Sequence, residues 1–278
     1  MNNATRLLRN FAFTAGLVLT LLLVIAALAA PLLAPHDPNV QDTGRRLEAP
    51  SNDHPLGLDD LGRDVLSRIV FGARVSLRVG FSVVILASLV GVTLGAISGY
   101  FGGAIDVMVM RLCDILLAFP GILLAIALVA VLGPSLNNVI LALATIGWVG
   151  YARLVRGQVL KVREMEFVTA AKALGAKSPR VIVKHVLPNV INPVIVMATL
   201  GLAGAILSEA ALSFLGLGVQ PPTPSWGAML TAGRRYLGLA NHLAIFPGAA
   251  IMLAVMGLNF LGDGLIDALD PKYRKEIR

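Results

Sequence analysis

The sequence predicts an all-α protein that crosses a membrane six times. Of its 278 residues, 56% are hydrophobic and only 14% are charged, and the mean hydropathy is +0.80. A water-soluble domain of this length needs far more charge to cover its surface. Apolar runs that can each supply the roughly 20 residues of a spanning helix recur along the chain. We therefore predict a polytopic membrane protein.

The first span is predicted in residues 11–34, after a short tail at residues 1–10. The run from Phe11 to Ala30 carries no charge and follows two arginines. A cleaved secretory signal is the alternative, because the alanines at its end resemble a cleavage site. The run exceeds the roughly 7–15 apolar residues of a signal peptide, so we interpret it as a retained anchor.

The second span is predicted after a long loop at residues 35–77. Gly91, Gly95 and Gly99 recur at every fourth position, which places three small residues on one face of the helix. Small residues in such a stripe let two helix backbones approach closely. We therefore expect this helix to pack tightly against a neighbour.

Four further spans follow from the same reasoning. The uncharged reach from Ile115 to Ala152 is too long for one span, and Gly133-Pro134 marks a turn that divides it in two. Later apolar runs extend from about Val190 to Leu217 and from about Leu243 to Leu261. The total is six spans.

Basic residues predict the side of the membrane that each segment faces. The five later spans form a core over residues 78–262, and a tail follows at residues 263–278. Six spans place both termini on one side, and short cytoplasmic loops carry an excess of Lys and Arg. Both tails, the short loop with Arg111 and the segment after span four are basic, so we predict cytoplasmic termini. The basic residues after span four are Arg153, Arg156, Lys161, Arg163, Lys172, Lys177, Arg180 and Lys184.

The most informative segment is a polar island at residues 153–189, between spans four and five. Glu164–Leu174 predicts a helix that ends at Gly175, where a missing Cβ suits the left-handed conformation. Ser178-Pro179 predicts the N-cap and first position of a second helix, which stops near Pro188. The candidate docking residues in this island are Glu166, Ala170, Ala171, Gly175, His185, Leu187 and Pro188.

A membrane-surface helix without a partner is the alternative for this island. Such a helix presents bulky apolar side chains to lipid. Ala170, Ala171 and Gly175 are instead small, and small residues permit the close approach of a partner protein. We therefore favour a docking loop.

Four segments of the chain carry recognisable motifs. The island has E-x3-A-A-x3-G from Glu166 to Gly175, followed by L-P at Leu187-Pro188. The other segments begin H-P-L-G-L-D-D-L-G-R-D at His54, L-S-F-L-G-L-G at Leu212 and N-F-L-G-D-G-L at Asn259. Together they resemble the permeases of bacterial ABC (ATP-binding cassette) importers for dipeptides and oligopeptides, and specifically the second permease of such systems.

The resemblance implies the type I ABC-importer permease fold in the bacterial inner membrane. It implies a second homologous permease in a heterodimer, two ABC ATPases docked on the island, which corresponds to the family's EAA loop, and an extracytoplasmic solute-binding protein. His185 stands where importers in general often have Ile, and this narrows the resemblance to the peptide-type group. The solute stays open among dipeptides, longer peptides, glutathione, nickel chelates and sugars.

The resemblance also implies that this chain is not an enzyme and has no catalytic residue, metal or cofactor of its own. ATP and Mg²⁺ are expected in the partner ATPase, since the chain contains no G-x4-G-K-[ST] phosphate loop. The basic residues form no single patch with aromatic residues, which argues against nucleic-acid binding. His36 and His54 are expected to serve a structured external loop rather than a metal site.

Ionisable residues near the membrane leave an alternative function open. Glu209 lies in the fifth apolar run, where it either lines a pathway or is a buried hydrogen-bond partner. Asp114 is expected to pair with Arg111 on the same helix. A proton-coupled transporter that uses Glu209 and Asp114 is the alternative, but it predicts inverted repeats that the two halves do not show.

Overall fold

The computed structural model describes residues 11–269, and this part of the chain is almost entirely helical. Within it there is no β-strand, only an isolated bridge between Leu58 and Asp64. Five of the described helices are long and apolar enough to cross a membrane, or six if one bent pair counts as a single span. The predicted all-α, six-span class is confirmed, with a break in the third span. The predicted N-terminal tail and most of the C-terminal tail lie outside the described residues.

The long helices form a bundle joined by short helices at both ends. The helices in chain order are α1 (Phe11–Leu28), α2 (Ala30–Leu33), α3 (Val65–Phe101), α4 (Gly103–Leu117), α5 (Gly121–Leu132), α6 (Leu136–Val162), α7 (Glu166–Ala173), α8 (Ser178–Val181), α9 (Leu187–Phe214), α10 (Trp226–Gly233) and α11 (His242–Leu269).

Helices α3 and α6 pack closely along the predicted glycine stripe. A Cβ at Gly91 would collide with the carbonyl oxygen of Trp148, and one at Gly95 with the carbonyl oxygen of Ala152. A Cβ at Gly99 would crowd the next turn of α6. The predicted close contact is confirmed, and α6 is the neighbour.

The third span is broken and is not one straight helix. Helices α4 and α5 meet at an angle of 85°. Pro120 lies at the break, where it removes a backbone donor and disfavours the helical conformation of Phe119. Before α4, Gly102 (φ +68°) and Gly103 (φ +57°) reverse the chain sharply. Arg111, which we expected in a short loop, therefore lies within α4.

Three predicted boundaries differ from the observed ones. The segment 11–34 is two helices, α1 and α2, separated at Ala29. Helix α3 begins at Val65, within the predicted loop, because Asp64 caps it by accepting a 2.7 Å hydrogen bond from the Ser67 N–H. The final helix continues past the predicted end of the core to Leu269. In the last two cases the hydropathy pattern shows the apolar centre of a helix and misses its polar end.

The bundle has two polar ends. Residues 163–186 lie where α3 finishes, since the Arg163 guanidinium donates to the Gly99 carbonyl at 2.8 Å. We call this region the loop end. Residues 34–64 lie at the beginning of α3, and we call them the cap end. The α10 residue Trp226 also contacts the beginning of α3, through a 2.9 Å hydrogen bond to the Ile69 carbonyl.

Candidate functional site

The loop end is attached to the bundle by valines. Val168 of α7, Val181 of α8 and Val186 are fully buried. They belong to one apolar cluster with Val159 and Val162 at the end of α6. Burial of a Val side chain contributes about 1.5–3 kcal/mol, so three of them fix this short segment firmly.

Helix α7 ends in the left-handed turn that the sequence predicts. Gly175 has φ +84°. Its N–H donates to the Lys172 carbonyl at 2.9 Å, and the Ala176 N–H donates to the Ala171 carbonyl at 3.1 Å. These two bonds form a Schellman motif, which satisfies carbonyls that would otherwise lack partners at the helix end. The space around the missing Gly175 side chain is open.

The second half of the island differs from the prediction. Helix α8 begins at Ser178, so Lys177 and not Ser178 occupies the N-cap position, and its side chain forms no capping hydrogen bond. The second helix does not stop near Pro188 as predicted. A π-helical turn at Ile182–Val186 instead leads directly into α9. Pro188 would clash with the carbonyl of Lys184 in a regular α-helix, and the wider turn relieves that clash. A proline is usually a stop signal, so the sequence gives no indication of this continuation.

The candidate docking residues divide into two groups. Glu166, Ala170 and Gly175 are exposed on and after α7, with Ala171 partly buried between them. The second group lies in the π turn and the first turn of α9, where Pro188 is exposed. His185 and Leu187, also of this group, are partly buried.

Leu174 is a surface residue that sequence reasoning did not include among the candidates. Its side chain is 89% exposed, between the end of α7 and the Gly175 turn. Two other apolar residues of the loop end, Phe167 and Val183, are also exposed. A signal was available, since Leu174 is four positions after Ala170 and shares its helix face. The loop end thus presents small and apolar groups on a rigid support.

Polar contacts tie the loop end to the end of α3. Arg163 bridges from the Gly99 carbonyl to the Glu164 carboxylate, with a 2.9 Å contact to the latter. The Lys172 ammonium lies 5.1 Å from the centre of the Tyr100 ring, within the range of a cation–π contact. The loop end is therefore held by two helices, α3 and α6.

The acidic residues of α4 pair with α6. Asp114 forms an ion pair with Arg153, and Asp106 forms one with Arg156 while also accepting from Ser98. The expected pair between Asp114 and Arg111 is therefore wrong. The actual partner comes from another helix, which a search along one helix does not find. These pairs connect the broken third span to α6.

A groove of about 500 Å³ lies between α3, α5, α6 and α9. Among the described residues that line it, none is charged. Glu209 is not one of them: it is fully buried in α9 and accepts a 2.6 Å hydrogen bond from the Ser213 hydroxyl. Of the two roles predicted for Glu209, the structure shows the buried hydrogen-bond partner and not the lining of the groove. The residues that line the groove include Val84, Gly121, Gly147, Tyr151, Gly201 and Ser208.

These features define a multi-pass membrane protein with an exposed, well-packed polar loop at one end and an uncharged groove between its helices. Residues 91–275 match the family of binding-protein-dependent transport system inner membrane components. Residues 4–50 match the N-terminal transmembrane domain of oligopeptide transport permease C. The chain therefore belongs to the inner-membrane permease family of ABC importers, which has the type I fold.

Relatives at high identity support this assignment. The chain is similar to the dipeptide transport system permease protein DppC of Alkalihalophilus pseudofirmus, 49% identical over 97% of this chain and 88% of the relative. It is also similar to the glutathione transport system permease protein GsiD of Pectobacterium atrosepticum, 44% identical over 97% of this chain and 90% of the relative. GsiD of Escherichia coli is 45% identical over 96% of this chain and 88% of the relative. All three are permease proteins of transport systems, and the match to a binding-protein-dependent family favours an importer over a proton-coupled transporter.

Proposed function

We propose that this chain is one of two permease subunits of an ATP-driven importer for peptides or peptide-like solutes. The named relatives serve dipeptide and glutathione transport, and both solutes are short peptides. The chain would supply half of the translocation pathway, and a second, homologous permease would supply the other half in a heterodimer. Oligopeptides and nickel chelates are the other solutes to test.

The observation that carries the proposal is the combination of exposure and rigidity at the loop end. Leu174 is 89% exposed while Val168, only six positions earlier, is fully buried. An exposed surface on a rigid support binds a partner without a large ordering cost. We propose that an ABC ATPase docks here and supplies the ATP and Mg²⁺ sites that this chain lacks.

Individual residues have separate roles in this docking. Glu166 is exposed in the first turn of α7, where the helix dipole favours a carboxylate. Within residues 11–269 it forms no ion pair, so its charge is free for a basic group on the ATPase. The small side chains of Ala170 and Ala171 allow close approach, and Leu174 with the Gly175 turn enters the apolar part of the ATPase surface.

The second group of docking residues couples the loop end to the groove. His185, Leu187 and Pro188 lie where α8 passes through the π turn into α9 without a break. Helix α9 then lines the groove through Gly201 and Ser208. A displacement of the docked surface is therefore transmitted along a continuous helix to the groove, and this is how closure of the ATPase pair would exchange inward for outward access.

The uncharged groove fits a role in transport better than a role in selection. With no charged group on its walls, it cannot hold the amine or carboxylate of a peptide by an ion pair. A transport pathway requires sites weak enough for the solute to leave. We propose that an extracytoplasmic solute-binding protein, meeting the permease at the cap end, makes the selection.

The proposed orientation places the loop end and both termini in the cytoplasm of the bacterial cell. The basic residues of the loop end support this, because cytoplasmic segments carry an excess of Lys and Arg. The cap end would face the extracytoplasmic side, where the binding protein delivers its solute. The membrane is the inner membrane, in agreement with the family.

The test is Gly175→Asp in the assembled importer, produced with its second permease, both ATPases and binding protein. The variant should reach the membrane normally, lose the ATPase during purification and lose solute uptake. Gly238→Asp is a matched control, since Gly238 also has a positive φ, +89°, and open space around its Cβ position. It precedes α11 and lies outside the loop end.

Two outcomes decide the proposal. Loss of ATPase and uptake in Gly175→Asp, with both retained in Gly238→Asp, supports docking at the loop end. Normal uptake by Gly175→Asp, or equal loss in both variants, would overturn it. Binding of candidate peptides to the solute-binding protein, measured by calorimetry, identifies the solute separately.

A further inference from the structure

The cap end brings two histidines and a carboxylate together. His54 Nδ1 lies 2.9 Å from Asp64 Oδ1, and His36 Nδ1 lies 3.8 Å from the same oxygen. The three ligand atoms all lie within 4.8 Å of one another. The two imidazole rings are 4.5 Å apart between centroids. These residues come from three separate parts of the cap end.

We propose that His36, His54 and Asp64 bind a divalent transition metal ion of the zinc class. Two imidazoles and one carboxylate are a typical ligand set for Zn²⁺ with three protein ligands and one water. Tetrahedral bonds of about 2.0–2.2 Å place ligand atoms roughly 3.3 Å apart, so the observed separations need only small shifts. The site lies outside both the groove and the docking surface and is independent of the proposed transport function.

Hydrogen bonds behind the three residues hold them in place. Asp64 uses Oδ2 to accept from the Ser67 N–H at 2.7 Å, which leaves Oδ1 directed at the histidines. The backbone N–H of His36 donates to the Ser67 hydroxyl at 3.1 Å, and the backbone N–H of His54 donates to the Ser51 hydroxyl at 3.2 Å, so the main chain of both residues is fixed. A hydrogen bond from outside the site characteristically orients a ligating carboxylate, as the Ser67 N–H does for Asp64.

The burial pattern provides a path for an ion and for a water ligand. The side chains of His54 and Asp64 are 11% and 1% exposed, whereas that of His36 is 43% exposed. An ion can therefore enter beside His36, and a water molecule can occupy the fourth position. Metal bonds to His54 Nδ1 and Asp64 Oδ1 would replace the hydrogen bond between them, with the proton of the neutral imidazole carried on Nε2 so that the Nδ1 lone pair faces the ion.

A bound ion would fix the start of the cap end to the first turn of α3. His36 and Asp64 are 28 positions apart in the sequence, so a shared ion would close the loop between them. Because the ion binds only the folded cap, it should also raise the unfolding temperature. Mg²⁺ and Ca²⁺ prefer oxygen ligands and should not compete.

The experiment uses the full chain in lipid nanodiscs. The chain is purified with an affinity tag that contains no histidine, because a polyhistidine tag would itself bind the metal. Co²⁺ is the probe, because its visible absorption reports tetrahedral coordination, and Zn²⁺ is then added as competitor. The wild-type chain should bind one Co²⁺, which Zn²⁺ displaces and Mg²⁺ does not. His185→Ala is the matched control, since it removes a histidine outside the cluster.

His36→Ala is the decisive variant, because its exposed ring can be removed without opening the buried pair. It should lower Co²⁺ affinity at least about tenfold, as even an outer hydrogen-bond partner does. Asp64→Asn, which retains an oxygen to cap α3, should do the same. Zn²⁺ should raise the unfolding temperature of the wild type and of His185→Ala, but not that of His36→Ala.

Three results would overturn the proposal. The first is no Co²⁺ binding by the wild-type chain, which would make the cluster a metal-free hydrogen-bonded network. The second is equal affinity in His36→Ala and His185→Ala, which would place the ion elsewhere. The third is displacement by Mg²⁺, which would indicate a general carboxylate site.

Discussion

The cap end and the loop end satisfy their polar groups in opposite ways. At the cap end, four polar or charged residues have at most 9% exposure. At the loop end the buried residues are valines, and the charged side chains lie at the surface. The cap-end residues are His54, Asp59, Arg63 and Asp64, and the equally buried Arg68 follows in the first turn of α3.

This difference separates an end that pairs its buried charges within the chain from an end that keeps charged and apolar groups exposed. Asp59 accepts from Arg63 Nε at 2.6 Å and lies 3.5 Å from Arg68, so this cluster pairs its charges within the chain, although the buried Arg68 Nε makes no hydrogen bond. At the loop end, Glu166 and Leu174 are exposed above a packed base. A self-contained cap suits a fixed platform, and an exposed rigid loop suits docking.

The largest effect is expected at the cap end, from Asp59→Ala. The substitution removes the carboxylate that pairs with both buried guanidiniums, those of Arg63 and Arg68, and leaves Arg63 with only the more distant Asp60, at 3.7 Å. Removal of one partner from a buried ion pair costs about 3–5 kcal/mol, so we expect a large fall in unfolding temperature or no folded protein. Thermal unfolding in detergent measures this, with Asp59→Asn as a milder variant that keeps an acceptor. An unchanged unfolding temperature would mean that the cap is not self-contained.

An intermediate effect is expected at the base of the loop end, from Val168→Ala. Removal of two buried methyl groups costs about 2 kcal/mol, which should loosen α7. Hydrogen exchange should accelerate over residues 163–177 and remain slow at the cap end. Val183→Ala is the matched control, because that side chain is 61% exposed. Equal exchange in both variants would contradict a packed base.

A smaller effect is expected from Gly175→Ala. The methyl group meets no neighbour, but a non-glycine residue in the left-handed conformation costs roughly 1–2 kcal/mol. The same substitution at Gly238 should cost a similar amount of stability. Only Gly175→Ala should slow solute uptake, because only that glycine lies in the proposed docking surface. Unchanged uptake in Gly175→Ala, or equally slow uptake in Gly238→Ala, would contradict the assignment of Gly175 to the docking surface.

The smallest effect is expected from Glu48→Ala, also at the cap end. Glu48 accepts from Arg45 Nε at 2.7 Å, but this pair lies at the surface. Exposed ion pairs contribute little because water and salt screen them. The unfolding temperature should not change measurably. A fall comparable to that of Asp59→Ala would show that surface pairs of the cap end also hold it together.

The sequence predicts those features that depend on local conformation or on small-residue patterns. The stripe at Gly91, Gly95 and Gly99 indicates a close helix pair, and the structure shows that pair. Gly175 indicates a left-handed helix end, which also forms. The all-α class follows from hydropathy alone, because a lipid environment permits few alternatives.

Features that depend on tertiary contacts were not predictable in the same way. Pro120 breaks a span and Pro188 does not, although the two prolines give the same local signal. The difference lies in the π turn that accommodates Pro188. Likewise the partner of Asp114 is Arg153, 39 positions away, which no pattern along one helix indicates. The cluster of His36 and His54 with Asp64 also needs the folded cap.

The central claim is that the loop end contacts the ATPase, and site-directed cross-linking tests it most directly. The only cysteine, Cys113, is buried, so Cys113→Ala gives a background without accessible thiols. Leu174→Cys and Leu239→Cys then place one thiol at positions that are 89% and 77% exposed. In the assembled importer, a thiol-reactive photo-cross-linker at position 174 should capture the ATPase subunit, and one at position 239 should not. Capture of the ATPase from position 239, or from neither position, would contradict the account.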